Sequence, residues 1–84
     1  MNTLEVTVFT APHCASCAAV KRYLTERKVP YHERDVTRDP GALTDLAGLT
    51  SVRAVPVTVV GQTVITGPFE KQRAALDAAL HHPS

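Results

Sequence analysis

Val8-Phe9-Thr10-Ala11-Pro12-His13-Cys14-Ala15-Ser16-Cys17-Ala18-Ala19-Val20 holds both cysteines of the chain and the change of pattern that decides its fold. Upstream, Leu4 to Phe9 is a run of β-branched, aromatic and other apolar residues, too continuous for a strand with one wet face. It predicts a buried strand over Leu4–Thr10. Ala11-Pro12-His13 breaks the run as a turn. From Cys14 the period changes. Cys17, Val20 and Leu24 recur on one helical stripe, with Lys21, Arg22 and Glu26 outside it, and Val29-Pro30 ends the pattern.

Two cysteines separated by two residues, at a strand-to-helix junction, suit reversible thiol–disulfide exchange. At i and i+3 both sulfurs lie on one helix face, within bonding reach. Cys14 stands at the first helical turn, where unpaired N–H groups and the helix dipole stabilise negative sulfur. It is the expected nucleophile. Cys17, one turn deeper, is the expected resolving thiol. The competing chemistry is metal binding. A closed zinc site takes four ligands and one C-x-x-C supplies two. His13, His32, His81 and His82 have no finger-like spacing to complete it, so no metal ligand is assigned within one chain. A cluster or zinc ion shared across a dimer is the alternative.

Working outward, Tyr31–Val36 predicts a polar strand near a sheet edge. Asp39 as N-cap and Pro40 at the first helical position predict a second helix, with Leu43, Leu46 and Ala47 inward and Gly48 at its end. Val55–Val60 and Thr63–Thr66 predict a hairpin about Gly61-Gln62, with glycine first as a type II′ turn requires. Phe69–Leu80 predicts a last helix with Ala75, Leu76, Ala79 and Leu80 inward. The expected class is therefore α/β: a β-α-β-α-β-β-α chain with a four-stranded mixed sheet in order 2-1-3-4 and helices on both faces. Residues 1–80 are expected to form one domain and 81–84 a tail.

Composition narrows the function. The 84 residues carry a net charge of +1, with 44% hydrophobic and 20% charged residues. There is no basic stripe to recruit nucleic acid and no apolar run of the ~18 residues needed for a membrane span. The first residues lack a signal-peptide pattern. The expectation is a cytoplasmic monomer, in which a close cysteine pair is redox-active or metal-binding rather than a structural staple.

Five further residues are candidates for substrate binding. Pro12 stiffens the turn before Cys14. His13 is either a cation beside the thiolate or a solvated turn residue. Gly67 either leaves room for a substrate backbone or simply turns the chain. Pro56, opening a buried strand, is either cis or an ordinary trans proline at the strand entrance. Val55 precedes it.

Three stretches together resemble the glutaredoxin branch of the thioredoxin-like superfamily: Val8 to Cys17, Val55-Pro56-Val57, and Thr66-Gly67-Pro68-Phe69. Within the branch, Ser51-Val52-Arg53-Ala54-Val55-Pro56-Val57 is similar to the NrdH-redoxins, small electron donors to ribonucleotide reductase that thioredoxin reductase recharges. The resemblance implies a thiol–disulfide oxidoreductase acting on protein disulfides. It makes Cys14 the nucleophile, Cys17 the resolving thiol and Pro56 a cis-proline, with the Val55 backbone pairing with the substrate chain. No bound cofactor is implied; electrons come ultimately from NADPH, through thioredoxin reductase or a low-molecular-weight thiol such as glutathione. The chain departs from glutathione users where Ala11 stands in place of a lysine and Phe69 in place of an aspartate. The Ala15-Ser16 spacer also differs from the usual pairs, and the strand before the motif holds no buried acid to accept a proton from Cys17.

Overall fold

The computed structural model describes residues 5–52 and 54–80. Leu4, Arg53 and the tail from His81 to Ser84 lie outside the described residues. The elements run β1 (Val6–Thr10), α1 (Ala15–Glu26), β2 (His32–Asp35), α2 (Pro40–Leu49), β3 (Val57–Val60), β4 (Thr63–Ile65) and α3 (Phe69–Leu80). The sheet order is β2-β1-β3-β4, the expected thioredoxin-like arrangement. β1 pairs parallel with β2 (Val8 opposite Glu33) and antiparallel with β3 (Phe9 opposite Val57), and β3 pairs antiparallel with β4 (Thr58 opposite Ile65).

Strand alternation splits the core in two. Val6, Val8, Val60 and Ile65 meet Val20, Tyr23 and Leu24 of α1 and Leu76 of α3. On the other face Phe9 and Val57 meet Ala42 and Leu46 of α2. β1 is buried on both faces, which explains its unbroken apolar run. Gly61 has φ 61° and Gln62 is not among the residues with positive φ, so glycine alone takes the left-handed position of the hairpin turn.

Four expectations about helices need correction. In α2 the inward residues are Ala42 and Leu46; Leu43 is 48% exposed and Ala47 is exposed. The Asp39 cap, accepting from the Gly41 N–H at 3.0 Å, and Pro40 at the start set the phase of a helix that buries only a narrow i, i+4 stripe. Gly48 does not end α2. The helix continues to Leu49, and the Thr50 N–H closes it on Leu46 O at 3.1 Å. In α3, Ala75 is exposed and Gln72 takes the inward place one turn before Leu76. In α1, Tyr23 joins the buried stripe, and the stop comes before Val29-Pro30. Lys28 adopts φ 58°, its N–H bonds Thr25 O, and the Val29 N–H bonds Leu24 O at 2.9 Å, a Schellman closure without glycine.

Leu46 is fully buried and, with Ala42, is the whole buried contact surface of α2. Leu46→Ala is expected to cost about 2–5 kcal/mol. Urea unfolding checks this, and a loss below about 1 kcal/mol would mean that α2 is not held through this contact.

Candidate active site

The topology brings three chain segments to one end of the sheet. β1 ends there and leads into the turn before Cys14. β3 starts there, so Val55 and Pro56 lie beside the end of β1. β4 ends there, placing Thr66 and Gly67 across from the start of β3. Residues far apart in sequence thus converge because an antiparallel pair exchanges start for end.

Cys14 is the N-cap of α1, with extended backbone (φ −111°, ψ 105°). Its sulfur accepts the Cys17 N–H at 3.2 Å, where the oxygen of a capping serine or aspartate would sit. Its carbonyl accepts the Ala18 N–H at 3.1 Å. An anionic sulfur therefore has a backbone donor aimed at it and the positive helix end behind it. As a thiol, Cys14 points its S–H at Val55 O, 3.8 Å away. Cys14 is half-buried and Cys17 is 2% exposed, so a partner in solution meets Cys14 first.

The remaining candidates fall into place around this pair. The Val55–Pro56 peptide bond is cis, and Pro56 is buried. Val55 is half-buried beside Cys14. Pro12 and His13 are exposed on the rim of an open groove of about 630 Å³. His13 reaches the turn with φ 60°, a left-handed conformation that non-glycine residues seldom adopt. Gly67 has φ +100°, and a Cβ there would meet Lys71 Cδ at 3.1 Å, so this glycine is required by its backbone. Phe69 packs on the α1–α3 core, edge-on to Tyr23 with ring centroids 5.7 Å apart.

One polar cluster in the groove has no counterpart in the sequence reading. Glu33 accepts from Lys21 Nζ at 2.9 Å and from Thr10 Oγ1 at 2.9 Å. The hydrogen bond from Lys21 lowers its pKa, the Thr10 hydroxyl adds to this, and burial opposes it. Glu33 is thus an ionised carboxylate that lines the same groove as Cys14 and Cys17. Two polar side chains outside this cluster, Ser16 and Gln72, also carry no local signal of their partners. Ser16 Oγ accepts the first N–H of α3, from Phe69, at 3.4 Å. Gln72 reaches the carbonyls of Pro56 and Gly67. Ser16 could have been flagged as a hydroxyl in a first helical turn, whereas nothing local marks Gln72. Among the described residues no three His, Cys, Asp or Glu side chains group as metal ligands.

Comparison with known proteins agrees with this geometry. The family model described as Glutaredoxin matches residues 6–65. The thioredoxin-like protein BC3987 superposes with a TM-score of 0.80 at 29% identity, over 89% of this chain and 99% of its own. NrdH-redoxin from Escherichia coli, described as glutaredoxin-like with a thioredoxin-like activity profile, superposes with a TM-score of 0.73 at 25% identity, over 95% of this chain and 97% of its own. Among curated relatives, the global transcriptional regulator Spx 2 of Lactococcus lactis is 36% identical over 42 residues, half of this chain. The chain spans about a third of the length of that relative, 32%.

Proposed function

The chain belongs to the glutaredoxin family, and on that premise we propose that it is a cytoplasmic dithiol–disulfide oxidoreductase that reduces protein disulfides and is recharged by thioredoxin reductase. The observation that carries this reading is the Cys14 sulfur: it is half-exposed, caps α1 and takes the Cys17 N–H at 3.2 Å beside the Val55 carbonyl.

The reaction follows from that placement. The Cys14 thiolate attacks one sulfur of a substrate disulfide, the S–S bond breaks, and the departing substrate thiolate takes a proton from solvent. Cys17 loses its proton and attacks the Cys14 sulfur, forming the Cys14–Cys17 disulfide and releasing the second substrate thiolate. Two electrons pass from the protein dithiol to the substrate. The Val55 backbone supplies an edge against which an extended substrate segment pairs, which brings its sulfur to Cys14. The reductase then returns two electrons from NADPH.

The electron source is read by following NADPH consumption with insulin as acceptor. Parallel reactions contain thioredoxin reductase, or glutathione with glutathione reductase. Turnover with thioredoxin reductase is expected, and turnover only with glutathione would show that Ala11 and Phe69 do not exclude that tripeptide. A ribonucleotide reductase is the partner class that the resemblance of Ser51–Val57 to the NrdH-redoxins implies, and regeneration of its reduced form is the matching assay.

A further inference from the structure

Gln72 is fully buried on α3. Its Nε2 donates to Pro56 O at 2.9 Å and to Gly67 O at 2.9 Å, and its Oε1 accepts from Thr58 Oγ1 at 2.8 Å. Both amide protons are used, and the orientation of the amide is fixed because the two carbonyls can only accept. A leucine or methionine one turn before Leu76 would anchor α3 without the desolvation cost of an amide. What an apolar side chain would not do is tie together the backbone just before β3 and the backbone just after β4.

The first of those segments adjoins the reactive sulfur. Val55 O faces Cys14, and the next carbonyl, Pro56 O, faces Gln72. Gly67 lies two residues before Phe69, whose N–H donates to Ser16 between the cysteines, and the Gln72 N–H itself closes on Pro68 O at 3.0 Å. One side chain therefore links the strand entrance beside Cys14, the turn into α3 and, through that turn, the cysteine helix.

We propose that Gln72 is a positioning residue for peptide substrates, which holds the Val55–Pro56 edge and the Gly67 turn at one fixed spacing beside Cys14. It touches neither sulfur. The proposal rests on the reading of Val55 as the edge that meets a substrate chain, and it predicts that the amide matters for substrates that need that edge and not for small disulfides that meet only the sulfur.

The test compares pre-reduced wild type with Gln72→Met, shown to be folded at 25 °C by circular dichroism. Each is mixed in single turnover with insulin and, separately, with 5,5′-dithiobis(2-nitrobenzoic acid). The second-order rate with insulin is expected to fall about ten-fold, and the rate with the small disulfide to change by less than about two-fold. Equal losses with both acceptors, or no loss with either, would overturn the proposal. If Gln72→Met does not fold, Thr58→Val takes its place: it frees the amide while leaving both donors, and a selective loss of about three-fold with insulin is expected. A non-selective effect of Thr58→Val would overturn the proposal equally. Wild type that reduces the small disulfide but not insulin would instead refute the protein-disulfide reading, and this inference with it.

Discussion

Cys14→Ser is expected to abolish disulfide reduction, by a factor on the order of 10³ or more, while leaving the fold intact. The two halves of that expectation come from the same atom. Cys14 is both the more accessible of the two cysteines and the N-cap of α1. A serine hydroxyl is not ionised near neutral pH and does not exchange with disulfides, so the nucleophile is gone. Serine is also among the preferred N-caps, and its oxygen can take the Cys17 N–H that the sulfur now takes. Thermal stability is thus expected to hold or to rise by up to about 1 kcal/mol. The paired measurement is insulin reduction with a melting curve on the same sample. Loss of activity together with loss of folding would mean that the sulfur is needed for the structure. Retained function in a folded Cys14→Ser protein would favour a thioredoxin-fold adaptor that binds partners without turnover.

The architecture was legible because its signals are local and redundant. The unbroken apolar run of β1, Asp39-Pro40 at the start of α2 and Gly61 in the hairpin each carry one physical constraint that few alternatives satisfy. The cysteine pair was legible for the same reason, since its spacing fits one helical turn. Helix faces were less so. A short helix with several apolar residues permits more than one inward stripe, and only docking on Phe9 and Val57 selects Ala42 and Leu46 over Leu43. The device that ends α1 was not legible, because Lys28, a residue with no left-handed preference, occupies the position glycine usually takes.

The polar framework of the site was not legible at all. Nothing in the local sequence marks Gln72, Ser16 or Glu33 as part of a site. Their partners, Pro56 O, the Phe69 N–H and Thr10 with Lys21, lie 12 to 53 positions away along the chain or belong to backbone whose orientation depends on the completed sheet. Such contacts exist only once the strands are paired, so no local pattern announces them. The missing buried acid of β1 is a related case. The carboxylates that line the groove, Glu33 and Asp35, come from β2, one strand over, and the hydrogen bond from Lys21 lowers the pKa of Glu33, which makes it a weaker proton acceptor.

Cys17→Ser is expected to stop turnover at the covalent intermediate. The feature that favours sulfur anion at Cys14 is the backbone N–H of residue 17, not its side chain, so the first attack should survive the substitution. The second step should not, because the buried thiol that cleaves the mixed disulfide is absent. A buried hydroxyl in place of the thiol costs about 1–3 kcal/mol unless it bonds back to a carbonyl one turn earlier, as helical serines can. The variant is therefore expected to be somewhat less stable but folded. Mixed with an excess of a disulfide-bonded protein, it should release one substrate thiol per molecule and remain attached through Cys14. Non-reducing electrophoresis and intact mass would show the adduct, and dithiothreitol would dissolve it. Steady-state reduction of insulin should fall by about 10²-fold or more. Undiminished turnover with thioredoxin reductase would mean that Cys17 is not the resolving thiol. Turnover restored by glutathione alone would mean that an external thiol can complete the step, which would move the chemistry toward a monothiol route through Cys14.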